Sequence, residues 1–191
     1  MPRERKWLTL LFYTVDEWTI EDGVFVAGTG AEGSLTAQVK ITANTTVRVS
    51  FIRYKKVAIN KLDNYLQTAS STDINYIEVT GLTAADLKGK NDGSGPWMPS
   101  RLGSILQSNR EKKVALKLSA VSGLTDMSYC FLQCTSLMFV ELKCDYNSAF
   151  ECMFYGCTSL TPGSIKVPSG QLDAYKAGAS NMEAQENWFT E

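Results

Sequence analysis

Histidine is absent from the 191 residues of this chain. That removes the Ser-His-Asp triad, the Cys-His pair and the Cys₂His₂ zinc site, because each needs an imidazole as base or ligand. An excess of charge of either sign is also lacking. Against 19 Lys and Arg stand 20 Asp and Glu, a formal charge of −1. Such a balance leaves no electrostatic footprint for nucleic acid or for an anionic lipid surface. No apolar run approaches the ~18 residues that a membrane span requires. No cysteine precedes Cys130, so the start of the chain offers no lipoprotein-type acceptor. What remains is a composition 44% hydrophobic and 20% charged, which argues for a folded chain and against disorder. The length suits one large domain or two small ones, with a core that needs no disulfides.

The first segment has two readings. Arg3, Arg5 and Lys6 precede the mostly apolar stretch Trp7–Val15, as in the opening of a signal peptide. Asp16, Glu17 and Trp18 follow at once, without a small-residue cleavage site. An edge strand or short helix packed on the body is the preferred reading. Residues 24–53 then alternate with period two, in runs at Val24/Val26, at Leu35/Val39/Ile41 and at Val47/Val49/Phe51. Gly28-Thr-Gly30-Ala-Glu-Gly33 and Ala43-Asn44-Thr45 split these runs, so an antiparallel meander is expected.

After Lys56 the period changes. Ile59, Leu62, Tyr65, Leu66 and Ala69 fall at helical spacing, with Asn60 as the expected N-cap. Ile74–Thr80 alternates as a strand, and Lys88–Pro99 is a Gly-, Pro- and charge-rich exposed loop. Leu102, Ile105 and Leu106 mark a short helix, and Val114–Leu118 a strand. Helix and strand thus alternate, which implies parallel strands joined by crossovers.

A repeat follows. Phe131-Leu-Gln-Cys134-Thr-Ser-Leu137 returns 23 residues on as Phe154-Tyr-Gly-Cys157-Thr-Ser-Leu160. At the same offset Met127 meets Phe150, Cys130 meets Met153, Leu142 meets Ile165 and Cys144 meets Val167. At an offset of 24, Leu116 meets Val140 and Leu118 meets Leu142; at 39, Ile77 meets Leu116. A period of about 20–29 residues with one short strand per unit is the signature of a leucine-rich-repeat solenoid. One coil cannot bury its apolar side alone, but stacked coils build a continuous core.

The pattern F-x-x-C-T-S-L with its following V-x-L strand resembles the BspA-like leucine-rich-repeat proteins of host-associated bacteria. So does the ending, Ile165-Lys-Val-Pro168-Ser-Gly-Gln-Leu172-Asp-Ala-Tyr175-Lys-Ala with Trp188-Phe189 nearby. The resemblance covers residues 111–189 most closely. It implies a surface-exposed or secreted protein that binds other macromolecules, with host or extracellular matrix proteins as the expected ligands. Its alternative is a structural spacer or fragment of a larger repeat-containing surface protein, without a ligand of its own. The expected fold is α/β: a short leucine-rich-repeat solenoid with parallel strands and helical caps, preceded by an antiparallel β-rich segment. The expected boundaries are 1–56 for that segment and 57–191 for the repeat domain. Within the domain, 59–119 would be the N-terminal cap, 120–161 the repeats and 162–191 the C-terminal cap. In that last cap Ser169 would cap a helix, Leu172 and Tyr175 would pack inward, and Gly178 would end it.

Several motifs are refused. Gly28-Thr-Gly30-Ala-Glu-Gly33 matches G-x-G-x-x-G, but β pattern follows it where a phosphate-binding helix is required. No Asp or Glu occurs between Glu32 and Asp63 to meet a ribose. Val57-Ala58-Ile59 is followed by Asn60 where a kinase has Lys, and no H-R-D or D-F-G exists. Asn44-Thr45-Thr46 fits a glycosylation acceptor and is read as a turn. Asp16, Glu17, Glu21 and Asp22 are scattered carboxylates, so no catalytic residue is assigned, and the chain is read as no enzyme. The five cysteines are 130, 134, 144, 152 and 157. Cys134 and Cys157 share a repeat position, and Cys130 and Cys144 align with apolar residues. Packing explains them better than metal binding, so no metal and no cofactor is expected. Cys152 is the expected exposed thiol, and a Cys134–Cys157 bridge stays open.

If Val140 and Leu142 point inward, Phe139, Glu141 and Lys143 point outward. The offsets set Lys117 beside Glu141, Lys143 beside Lys166, and Glu78 on the far side of Lys117. Aromatics amid polar groups are what interface centres favour. The candidate binding residues are therefore Tyr76, Lys117, Phe139, Glu141, Lys143 and Lys166. The partner is a protein, not nucleic acid; oligomeric state is not legible.

Overall fold

The computed structural model describes residues 13–25, 39–91, 93 and 96–191. It divides into two units, Met1–Tyr54 and Lys55–Glu191. In the first, β1 (Tyr13–Phe25) pairs antiparallel with β2 (Val39–Arg53). This is a hairpin of two long strands where the sequence predicted a meander of three short runs. The runs around Ile41 and Val49 belong to one strand. β-branched residues dominate it, and they favour extended backbone strongly enough to carry it through Ala43-Asn44-Thr45. The expected turn there is instead an irregularity in pairing. Ile41 meets Gly23 and Thr46 meets Glu21, so Thr42, Ala43, Asn44 and Thr45 together oppose Asp22. Most of the apolar stretch Trp7–Val15 and the whole of Gly28–Gly33 lie outside the described residues.

The second unit is α/β, built on a six-stranded parallel sheet. Its strands are β3 (Lys55–Ala58), β4 (Ile74–Thr80), β5 (Lys113–Leu118), β6 (Leu137–Glu141), β7 (Ile165–Lys166) and β8 (Phe189–Thr190), side by side in chain order. The flanking strands β3 and β8 were not foreseen. Between the strands run α1 (Leu62–Thr68), α2 (Ala84–Leu87), α3 (Arg101–Ser108) and α4 (Leu172–Ala177). Alternate strand residues face opposite sides. Val57, Val79 and Leu118 make one buried inward row, and Ile77, Leu116, Val140, Ile165 and Phe189 make another. Leu62, Leu66, Leu102, Leu106, Met127, Phe131, Phe150, Phe154 and Tyr175 belong to the same continuous core.

The 23-residue period has a direct structural counterpart. The rings of Phe131 and Phe154 stack at 5.6 Å between centroids and 11° between planes. The Phe131 amide donates to the Met153 carbonyl at 2.9 Å, and the Phe154 amide to the Met182 carbonyl at 2.9 Å. Positive backbone φ recurs at equivalent places: Tyr129 (54°) with Cys152 (47°), and Gln133 (53°) with Gly156 (73°).

The strand registers agree with the sequence except at one step. Ile77 pairs with Leu116 and Leu116 with Val140, as the offsets of 39 and 24 require. Between β6 and β7 the offset is not 23. Val140 pairs with Ile165 and Glu141 with Lys166, two residues further on. The expected Leu142–Ile165, Cys144–Val167 and Lys143–Lys166 pairings are therefore corrected. The extra two residues enter the turn Thr161-Pro162-Gly163-Ser164. There the Ser164 amide donates to the Thr161 carbonyl, the Thr161 amide to Ser164 Oγ, and Gly163 takes φ +77°. Glycine suits that left-handed position because it has no Cβ to clash.

Two expected caps are also corrected. Asn60 lies inside a 3₁₀ turn, Ile59–Lys61, and Lys61 holds the N-cap of α1 without a side-chain bond. Gln171, not Ser169, holds the N-cap of α4. The amides of Gly170 and Leu172 are satisfied by Glu191 Oε1 at 2.8 and 3.4 Å, an anion at the positive helix end. Tyr175 is buried, Leu172 is half-buried, and Gly178 does end the helix, with an ordinary φ of −88°.

The capping that matters most was not foreseen. Thr83 and Asp86 form a capping box on α2, with the Thr83 amide and hydroxyl donating to Asp86 Oδ2 at 2.9 and 2.6 Å. Arg101 of α3 donates to Asp86 Oδ1 at 2.9 Å. Burial by itself raises the Asp86 pKa, but the bonds from Thr83 and Arg101 outweigh it and hold the carboxyl below its ordinary value. A carboxyl with a lowered folded pKa contributes stability above its unfolded pKa and loses it as pH falls through the folded one. We expect Asp86→Ala to cost about 1–3 kcal/mol at neutral pH. The difference from wild type should shrink below about pH 4. Urea titrations at several pH values measure both.

Candidate functional site

The outward rows of the sheet place the sequence-predicted residues. Lys56, Glu78, Lys117, Glu141, Lys166 and Thr190 occupy consecutive strands in one register. The first five alternate in charge, basic to acidic to basic. Lys56 meets Glu78 at 3.3 Å and Lys117 meets Glu141 at 3.5 Å. Parallel strands force this, because residues in register stand about 4.8 Å apart on the same face. Repulsion between like charges is avoided at every step.

Glu141 stands between Lys117 and Lys166 in the row. It is only 9% exposed. Lys143, just past the end of β6, donates to its Oε1, and Lys117 and Lys166 flank it on the neighbouring strands. Burial pushes the carboxyl pKa up, but the Lys143 bond and the attraction of Lys117, Lys143 and Lys166 outweigh this and hold it below its ordinary value. Glu141 therefore stays ionised, and its contribution to stability is lost only as pH falls through that lowered value. The next outward row runs Tyr76, Ala115, Phe139. Tyr76 and Phe139 are half-buried, and Ala115 between them is 2% exposed. Two aromatic side chains thus flank a small residue beside the charges.

The structure brings all six candidate residues together. Lys117, Glu141, Lys143 and Lys166 form one charge cluster, with Tyr76 and Phe139 in the adjoining row. Lys143 reaches the cluster from beyond the strand, not as the neighbour of Lys166. Sequence reasoning missed Lys56. The signal was available: Lys56 precedes Val57 as Glu78 precedes Val79. With Lys56 included, four ammonium groups face two carboxylates, so this face is basic although the chain is not.

The cysteines are all unbridged. Cys130, Cys134 and Cys157 are buried in the core, and burial pushes each thiol upward, Cys157 to about 12. Cys157 Sγ donates to the Phe131 carbonyl at 2.9 Å. The expectation that Cys152 is exposed is corrected. It is 9% exposed and packs with Tyr129 and Leu132 in a small separate cluster. Tyr129 holds the equivalent repeat position and is 3% exposed, so the backbone carries both residues into the same buried layer. Cys144 is the more open thiol, beside the Tyr175 hydroxyl at 3.5 Å. Among the described residues no three His, Cys, Asp or Glu side chains gather as a metal site. Iodoacetamide at neutral pH should label at most one thiol of the native protein, Cys144, and all five in denaturant. Mass spectrometry checks this; labelling of Cys152 first would contradict it.

Among the described residues no helix is long and apolar enough to cross a membrane. Comparison with protein-family models, with curated proteins and with solved structures finds no match to the chain.

Proposed function

We propose that Lys55–Glu191 is a short leucine-rich-repeat solenoid that binds another protein through the outer face of its sheet, without catalysis. The reading places it at a bacterial surface or in secretion, with a host or matrix protein as ligand. The observation that carries it is the ordered row Lys56–Glu78–Lys117–Glu141–Lys166, with Tyr76 and Phe139 beside it. Isolated exposed ion pairs add little to stability, about 0–1 kcal/mol each. Charges set in register beside aromatics are better suited to steering and register at an interface. The repeat reading is supported by the stacked Phe131 and Phe154, by the recurring positive φ positions and by strands that follow chain order. The absence of histidine supports a non-catalytic role.

The test is a pull-down of serum and matrix proteins on the immobilised full chain, followed by titration of each captured protein. Lys117→Glu with Lys166→Glu should weaken binding by about tenfold or more and flatten its salt dependence. Unchanged binding in that variant would refute the face. Failure to capture any protein would favour a spacer without a ligand.

A further inference from the structure

A second surface lies apart from the outer sheet face, and its argument does not rest on the reading above. Four large hydrophobic residues are exposed among those described: Ile74, Trp97 (46%), Met98 (55%) and Tyr155 (40%). Trp97 and Met98 are adjacent in the chain, and Trp97 packs edge-on to Tyr155, with centroids 5.6 Å apart and planes at 86°. The same Trp97 ring lies 5.6 Å from Tyr129, tilted by 47°. The shelf therefore joins the Lys88–Pro99 loop to equivalent layers of the two repeats.

A cavity of about 340 Å³ adjoins Tyr129 and is lined by Lys88, Asn91, Asp126, Ser128 and Glu151 among others. Its polar groups are fixed in place. Lys88 pairs with Asp126 at 2.7 Å, the Ser128 amide donates to Asp126 at 2.8 Å, and Asn91 donates to the Tyr129 hydroxyl at 2.9 Å. The loop is clamped by Gly89 N–H to the Ser128 carbonyl at 2.7 Å and by paired bonds between Lys90 and Met98. Tyr129 itself holds φ +54°, the left-handed turn position that Cys152 takes in the next repeat.

We propose that this shelf and cavity form a binding site for a neutral saccharide. A sugar ring has an apolar C–H face and a rim of hydroxyls. Partly exposed indole and phenol rings suit the first. Carboxylate, amide and hydroxyl groups held in fixed positions suit the second. Lys88 and Lys90 balance Asp126 and Glu151, so there is no net charge to select a phosphate or a sulfated chain. The polar lining disfavours an apolar peptide side chain.

The experiment is a glycan array probed with the full chain, then titration of cellohexaose, chitohexaose and soluble mannan by tryptophan fluorescence and calorimetry. At least one neutral probe should bind saturably, and Trp97→Ala or Tyr155→Ala should weaken it about tenfold, the weight of one aromatic contact. Trp97→Phe should retain most of the affinity. Melting curves confirm that each variant is folded; if Trp97→Ala is not, Tyr155→Ala decides. The proposal is overturned if no neutral probe binds at about 10 mM. It is equally overturned if folded aromatic variants bind as wild type, or if only sulfated or sialylated glycans bind.

Discussion

Phe131→Ala should destabilise the second unit by about 3–5 kcal/mol, the range for emptying a buried aromatic site. Phe131 has no exposed surface, and its ring stacks at 11° on Phe154, which is equally buried. Removing it opens a void in the core cluster that also holds Leu102 and Leu106 of α3. The repeat layers are tied by backbone bonds such as Phe131 N–H to Met153 O, so they cannot collapse freely to fill it. Domains of this size are stable by only about 5–15 kcal/mol. The loss is therefore a large share of the total and should lower Tm by about 10 °C. Phe131→Leu keeps most of the volume and should cost clearly less. Urea unfolding of both variants measures the pair; an Ala variant no weaker than the Leu variant would mean the stack is not a core contact.

Gly103→Ala should destabilise the fold as well, against its helix propensity. Alanine in a helix interior is favoured over glycine by about 1 kcal/mol, and α3 is helical throughout Arg101–Ser108. The packing opposes this. A Cβ on Gly103 would lie 2.2 Å from the Cys130 carbonyl oxygen and 2.9 Å from Pro99 Cβ. The carbonyl is backbone, and it already accepts the Ser100 hydroxyl at 2.9 Å while Ser100 Oγ caps Gly103 N–H at 3.0 Å. Helix and repeat layer would have to part, breaking the Ser100–Cys130 bond. Overpacking of this kind costs about 1–3 kcal/mol and sometimes more, which exceeds the propensity gain. Thermal melts of Gly103→Ala should show a lowered Tm. A raised one would show that α3 can shift away without loss.

These two residues differ in how readable they were. Phe131 was visible because a repeated F-x-x-C-T-S-L stacks like on like, so its recurrence as Phe154 announces a core position. Gly103 was not, because nothing local distinguishes a helical glycine under a carbonyl from one facing water. The same division runs through the candidate site. Offsets of 24 and 39 placed Glu78, Lys117 and Glu141 in one row. The two residues added in Thr161–Ser164 moved Lys166 from Lys143 to Glu141, and no period reveals which turn absorbs an insertion. Cys152 was misjudged because alignment with a tyrosine says nothing of what covers that tyrosine. The Trp97 shelf was missed because the loop reads as polar turn chemistry, and its partners, Tyr129 and Tyr155, are 32 and 58 residues away.

By itself the sequence determined the α/β alternation after Lys56, the inward strand residues, the alternation of charge at Glu78, Lys117 and Glu141, and the burial of Cys130, Cys134 and Cys157, though not the half-open place of Cys144. Period and hydrophobicity are local properties, and they suffice to say which side of a strand is buried. Only the tertiary structure decided that Lys166 completes the surroundings of Glu141, that β3 and β8 flank the sheet, and that Trp97 reaches Tyr155. Register across an insertion and contact between distant loops depend on how the whole chain packs, and residue pattern does not encode that at any one place.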